Sequence, residues 1–395
     1  MRTISKKSHK GFTLIEMMIA LGIGVLVLGA AVELFSKSVS LTWAVSQKSE
    51  LQQDARAASN LLVKDISLAG AGIPTGGVGL PPKSGAGGTG VIQLFGCGYV
   101  GGQCYLGPNN TAAGIFPTQS PGGVITPYVY GVVPGCQAGI TIAGNPTPTD
   151  TITIVYSDNV FPLSDYSTVT IQPGGTSAQF TTANAADPPV NNASVGLQNG
   201  DLVLFQSTIA SASGATTAYA IAEVTTPAIT GAGLGPYTVN FGAGDPLKFN
   251  YPAAPSGNLT SLLGGTNTVA TRIWVVTYYL KMTPDPLGVG AGIPTLMRQV
   301  NGRTPVPVAE NTVNLQFTYD TYDSAGNLLA ASCDGGQSVG VTPSQIRTIN
   351  IAHLTMRNQL SGANGALGQT TKGYQGVDLQ TSISARNLSF SQQYQ

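Results

Sequence analysis

Glu16 is the residue whose type and position most clearly call for chemistry. It stands in KGFTLIEMMIALGIG (10–24), four residues after Phe12, where an apolar run of membrane length begins. A charge deep in hydrocarbon costs at least about 2.5 kcal/mol, so a carboxylate there needs a reason. The rest of the chain offers little for catalysis. Of two histidines, His9 lies in the basic N-terminal stretch and His353 lies in INIAHLTM. On strand parity His353 sides with Ile349, Ile351 and Thr355, which predicts a partly buried, hydrogen-bonded structural histidine. A Ser-His-Asp hydrolase would have to be built on it, and there is no G-x-S-x-G elbow. No G-x-x-x-x-G-K-[ST] phosphate loop occurs either. Asp320, Asp323, Ser324 and Asn327 crowd oxygen donors into DTYDSAGN. Clustered oxygens suit calcium, which makes Asp320 and Asp323 calcium candidates. The spacing misses D-x-[DN]-x-[DN]-G, however, and a hairpin turn between LQFTY and LLAAS accounts for the same letters. The expectation is a non-enzyme with no cofactor and no resident metal.

Composition limits the partners. Only 9% of the residues are charged and the net charge is zero, so no basic field draws nucleic acid and no acidic one draws cations. The 51 glycines and 25 prolines favour turns and short strands, while a hydrophobic fraction of 42% is ample for a core. Cys97, Cys104, Cys136 and Cys333 all follow the apolar segment and form no C-x-x-C pair. They read as disulfides of an oxidising compartment. Cys97 and Cys104 bracket the turn GYVGGQ and are the favoured pair, leaving Cys136 with Cys333. Unpaired buried thiols are the alternative.

Arg2, Lys6, Lys7 and Lys10 precede the apolar run, and no acidic residue occurs before Glu16. The positive-inside rule keeps this end cytoplasmic and exports the rest. Phe12 to Phe35 spans about 36 Å as a helix, enough to cross a bilayer. A secretory signal cut near Gly29-Ala30-Ala31 and an uncut anchor are two readings. The third starts from the letters themselves. A basic leader, Gly, then F-T-L-I-E and a long apolar run resemble the class III leader of type IV prepilins and pseudopilins. The resemblance implies cleavage by the prepilin peptidase between Gly11 and Phe12, and N-methylation of Phe12. It also implies that Glu16 meets the N-terminal amine of a neighbouring subunit. Such a pair would remove the unmatched charge and select one axial stagger, which apolar packing alone leaves free. Glu16 snorkelling to the interface is the plainer alternative.

Positioning these residues requires a helix that outlasts the membrane. In LQQDARAASNLLVKDISLAG, Leu51, Ala55, Ala58, Leu62, Ile66 and Ala69 recur at steps of three and four, placing them on one face. Gly70-Ala-Gly72-Ile-Pro74 supplies the stop. The pattern predicts one helix over about 12–70, and the absence of proline leaves any softening to Gly22, Gly24 and Gly29. The predicted organisation is a leader at 1–11, a membrane half at 12–35, an amphipathic half at 36–72, a Gly/Pro-rich linker at 73–90 and a head at 91–395. Gly85, Gly87 and Gly90 form a G-x-G-x-x-G, but the strand VIQLF follows it instead of a helix, which excludes a dinucleotide site.

The head reads as strands at 150–157, 201–207, 217–225, 272–282, 312–320, 347–357 and 377–386 separated by turns. Long loops are expected at roughly 100–149 and 226–270. The fold class is therefore α+β: a long N-terminal pilin helix and an elaborated, mainly antiparallel β head, with a division near residue 200 left open. TYYLKM (277–282), TLMRQV (295–300), VAENTVNLQFTYD (308–320), SQIRTINIAHLTMR (344–357) and VDLQTSISARNLSF (377–390) resemble the succession in PilW-type minor pilins. J-type minor pseudopilins of type II secretion share much of it. This resemblance implies a structural subunit that helps to start a type IV pilus, with other minor pilins, the major pilin, the prepilin peptidase and the inner-membrane assembly platform as partners. It implies an inner-membrane prepilin that becomes extracellular in the pilus. A pseudopilin of type II secretion and a tip adhesin are the alternatives.

Overall fold

The computed structural model describes residues 11–79, 97–100, 103–106, 119–120, 124–125, 128–135, 139–142, 147–161, 163–165, 168–212, 214–225, 229–242, 249–250, 258–285, 292–323, 325–329, 343–359 and 374–389. One long helix precedes a mainly antiparallel β domain, an α+β arrangement. The chain divides into two units: Met1–Gln53 with Arg357–Gly376, and Asp54–Met356 with Val377–Gln395.

Helix α1 runs unbroken from Leu14 to Ser67. Phe12 and Thr13 stay outside it because Thr13 acts as the cap. The expected stop holds at the other end: Gly70 takes φ 76°, a left-handed conformation that costs glycine little. Gly70 N–H then donates to the Val155 carbonyl at 2.9 Å and Ala71 accepts from Ser157 N–H at 2.7 Å, tying the chain to the sheet as it leaves the helix. The predicted apolar stripe is buried from Leu51 to Ala69, with Ala55, Ala58, Leu62, Ile66 and Ala69 at 0% exposure.

The strands of the two larger sheets are numbered here in chain order. The first sheet comprises β1 (Val132–Gly135), β2 (Thr151–Ser157), β3 (Leu202–Ser211), β4 (Gly214–Glu223), β5 (Thr266–Thr283), β6 (Ile293–Val300) and β7 (Val306–Ala309). Its order is β4-β3-β5-β6-β7, with β2 paired to β5 and β1 to β2. β5 is long enough, at 18 residues, to serve two partners on one edge: residues 266–273 pair with β3 and 276–283 with β6. Asn301 fills the junction. Fully buried at φ 49°, it donates its N–H to the Val275 carbonyl at 2.7 Å. Its side-chain oxygen accepts from Val275 N–H at 2.9 Å and its amide donates to the Gly200 carbonyl at 3.3 Å. The second sheet, in the order β9-β8-β10-β11, holds β8 (Thr312–Tyr322), β9 (Leu328–Leu329), β10 (Ile346–Gln359) and β11 (Tyr374–Ser384). Asp150 links the two sheets, its N–H donating to Leu315 and its carboxylate accepting from Phe317 N–H at 2.7 Å.

Two cores surround the first sheet. Leu202, Leu204, Ile221, Ile273 and Val275 pack with Ile73 and Val78 from the segment after the helix. Val203, Phe205, Ala220 and Ala270 pack with a three-stranded sheet formed by 168–171, 177–181 and 237–240. There Phe205 meets Phe180 at 6.2 Å and Phe241 edge-on at 5.4 Å between centroids.

All seven strands read from sequence are present, most of them longer than predicted. Short strands also form where loops were expected, at 97–100, 103–106, 119–120, 124–125, 128–129, 132–135 and 237–240, and β5 starts inside the second expected loop. Within the expected linker, Val78-Gly79 pairs with Tyr128-Val129 and Val78 is fully buried. Strands of two to four residues carry too few letters to show a period, and a distant partner decides them. VIQLF, most of the linker and Gly85, Gly87 and Gly90 lie outside the described residues.

Candidate functional site in the N-terminal helix

Thr13 and Glu16 start the helix as a reciprocal pair. The Glu16 carboxylate accepts from Thr13 N–H and from its hydroxyl, both at 2.9 Å, and Thr13 Oγ1 accepts from Glu16 N–H at 3.3 Å. This is a capping box: two amides that a helix start leaves unpaired are satisfied by each other's side chains. All three bonds involve Oε2 or the hydroxyl, so Oε1 keeps its accepting capacity, on a side chain already held in one position. T-L-I-E is the signature S/T-x-x-E ahead of an apolar run, a local cap that the inter-subunit role expected of Glu16 obscures in the sequence.

Beyond the cap, the large apolar side chains from Phe12 to Phe35 are all solvent-exposed. By length and composition this is one helix able to cross a membrane. The predicted span also holds a second carboxylate that sequence reasoning missed: Glu33 pairs with Lys37 at 2.7 Å, i to i+4. Both side chains are exposed near the end of the apolar run.

In the second unit the helix is fixed by another acid. Asp65, 3% exposed, accepts from Tyr278 Oη at 2.6 Å and from Arg298 Nε at 2.8 Å, and Arg298 Nε also reaches Tyr278 Oη at 3.2 Å. β5 and β6 bring the partners side by side, because Tyr278 and Arg298 are directly paired in the ladder. Burial, then the bond to Asp65, push the Tyr278 phenol far above its ordinary value, so it remains a donor. A signal for this clamp existed. Asp65 is seven residues after Ala58 and three after Leu62, an acid on the apolar stripe just as Glu16 is an acid in the apolar span.

The head holds a third polar cluster that the sequence did not reveal. Buried Arg272 donates through Nε to Asp158 at 2.6 Å, and through Nη1 to the carbonyls of Val195 and Gly196 at 3.1 and 3.0 Å. Its Nη1 lies 3.4 Å from Asp201, and its guanidinium packs on Phe161 and Trp274. Every donor points at protein, which makes the cluster a rivet of the core. Burial raises the Asp201 pKa, only partly offset by the Gln198 amide and the two arginines Arg272 and Arg303.

The remaining predicted residues fall as follows. His353 is hydrogen-bonded as expected, its Nδ1 2.9 Å from Asp378, but it is exposed and not partly buried. The reason is a β-bulge: Phe317 faces Ile351 while Gln316 faces His353, so Ala352 is extra and parity inverts beyond it. Ile349 and Ile351 are buried before the bulge, Leu354 and Met356 after it. Burial alone would raise the Asp378 carboxyl, but bonds from His353, Thr355 and Gln380 outweigh it and hold it below the usual range. Asp323 accepts from Asn327 N–H at 2.7 Å, Asn327 Nδ2 at 2.9 Å and Ala325 N–H at 3.0 Å, the work of a turn. Asp320 accepts from Asn350 at 3.3 Å. Among the described residues no group of three or more His, Cys, Asp or Glu side chains converges as a metal site. The side chains of Cys97 and Cys104, on a hairpin of strands 97–100 and 103–106, and all of Cys136 and Cys333 lie outside the described residues.

The family model of the prokaryotic N-terminal methylation motif matches residues 6–32. No curated protein and no solved structure matches the chain. The motif supports a type IV prepilin-like protein, a pilin or pseudopilin, and with the apolar helix it fits anchoring in the inner membrane. It implies processing by the prepilin peptidase and assembly with other pilins.

Proposed function

We propose that this protein is a minor pilin of PilW type, cut between Gly11 and Phe12, methylated on Phe12 and built into a type IV pilus to help start its assembly. The observation that carries the reading is the motif at 6–32 at the head of a helix whose first half is uniformly exposed and apolar. A side chain of that kind needs lipid before assembly and other subunits after it. Glu16, with Oε1 still accepting, would take the amine of a neighbouring Phe12-type terminus and set the stagger. The bulk of the head suits a tip position, where a subunit need not repeat along a shaft. Its partners would be other minor pilins, the major pilin and the inner-membrane assembly platform, and Cys97–Cys104 and Cys136–Cys333 would be its disulfides after export.

Mass spectrometry of the mature N-terminus is the test. Methylated Phe12 is expected; a start near Val32, or an intact Met1, would sink the reading. Glu16→Ala should be processed yet fail to assemble, and normal piliation in that variant would remove Glu16 from the docking role.

A further inference from the structure

The open side of β4 carries information that the helix does not. β4 is a terminal strand of its sheet, paired with β3 in an unbroken antiparallel register from Leu202↔Glu223 to Ser211↔Gly214. Val224 N–H donates to Asp201 and its carbonyl accepts from Gly200. Alternation along the strand therefore turns the backbone groups of Ala222, Ala220, Ala218 and Thr216 inward to β3. Those of Glu223, Ile221, Tyr219, Thr217 and Ala215 point outward. One end of this outer edge is closed: the Asn250 side chain accepts from Glu223 N–H at 2.7 Å and donates to the Glu223 carbonyl, standing in for a strand residue. Further along, no hydrogen bond among the described residues reaches the outward groups of Ala215, Thr217 and Tyr219. Ala215 to Thr217 are exposed, and Ala218 and Tyr219 half-buried.

An open edge normally carries a lysine, an inward charge, a proline or a bulge against unwanted pairing. From Gly214 to Ala222 there is no charged residue and no proline, and the register has no irregularity. We infer that Ala215–Tyr219 is a strand-addition site, occupied by the same segment of a second copy of this chain running antiparallel. The segment is its own complement. Centred on Thr217, the register sets Thr217 against Thr217 and small Ala215 against aromatic Tyr219, and it opposes no like charges. A charged partner strand would meet no counter-charge on this edge. The contact joins heads and does not rest on the pilin reading.

Cysteine cross-linking of the full-length chain in detergent micelles tests the inference, with the unsubstituted chain alongside to set the background from the native cysteines. In the proposed register the two Thr217 Cα atoms lie roughly 5.5 Å apart, within disulfide reach. The two Ala215 atoms lie about 14 Å apart, well beyond it. Thr217→Cys should give a dimer under mild oxidation that reductant dissolves, while Ala215→Cys stays at the background level. No dimer from Thr217→Cys, or equal cross-linking of both, overturns the inference. Thr217→Pro removes only an outward N–H and leaves the ladder to β3 intact. It should convert dimers to monomers by light scattering with unchanged far-UV circular dichroism; a folded variant that keeps the dimer mass also overturns it. Methylated or unmethylated Phe12 changes none of these outcomes, so failure here and failure of the pilin reading are distinguishable.

Discussion

The two halves of α1 share one backbone and differ in almost everything around it. From Phe12 to Phe35 the large apolar side chains are 57–89% exposed, whereas Ala55, Ala58, Leu62, Ile66 and Ala69 are at 0%. The first half is apolar all round, so it has no inner face, and among the described residues nothing covers its large apolar side chains. From Leu51 to Ala69 the helix is apolar on one stripe, and that stripe is buried. Each half carries an acid where hydrophobicity alone would not put one. Asp65 is consumed by Tyr278 and Arg298 within the same chain. Glu16 is consumed only in part, by Thr13. A helix therefore says little about its solvent; the periodicity of its apolar residues and the fate of its charges say much more.

The sharpest way to break this contrast is to remove the acid of the buried half. Asp65→Ala leaves Arg298 and Tyr278 without their shared acceptor and should cost about 3–5 kcal/mol of head stability, read as a shift in the chemical-denaturation midpoint in detergent. An effect under about 1 kcal/mol would mean that water replaces the carboxylate and the clamp is decorative. Next comes paired truncation. Leu62→Ala should cost about 2–5 kcal/mol, while Leu26→Ala, exposed in the first half, should stay within about 0.5 kcal/mol in the same assay. Equal losses would show that the first half has a packing partner within the chain. Thr13→Ala should cost about 1 kcal/mol, confined to the first turn. Amide exchange at Leu14 to Met17 should speed up while the denaturation midpoint of the head stays put.

The smallest expected effect lies in the head, at Asp378. Its pKa is lowered in the folded state, so the stability it contributes is present above the unfolded value near 3.9 and lost as pH falls through the lower folded value. Because the group is over a third exposed, the contribution should be below about 1 kcal/mol. Denaturation midpoints compared between pH ~5 and ~2.5 should fall more steeply for the wild type than for Asp378→Asn. Parallel slopes would show that the His353 and Thr355 bonds are not made in solution.

Long periodic segments were legible and short ones were not. The stripe from Leu51 to Ala69 and the stop at Gly70 followed from steps of three and four and a glycine. The seven strands followed from runs long enough to show alternation. The strand at 78–79 did not, because two residues carry no period and their pairing with 128–129 is a property of the fold. His353 shows the same limit at one residue. Parity from Ile349 and Ile351 put it inside, and a single extra residue at position 352 turned it out. Nothing local in IAHL announces a bulge, since the partner strand's register creates it.

The letters by themselves determined that a basic leader meets GFTLIE, that an apolar run of membrane length follows, and that a helix continues amphipathically until glycine ends it. Local spacing suffices for these features because capping, helical periodicity and transfer to an apolar medium act within a few residues. Tertiary structure alone decided that Asp65 meets Tyr278 and Arg298, that Arg272 rivets Asp158 and Asp201, and that His353 faces solvent. Each of those depends on which strands lie side by side and in what register, and that is fixed by packing among residues from a few tens to more than two hundred positions apart.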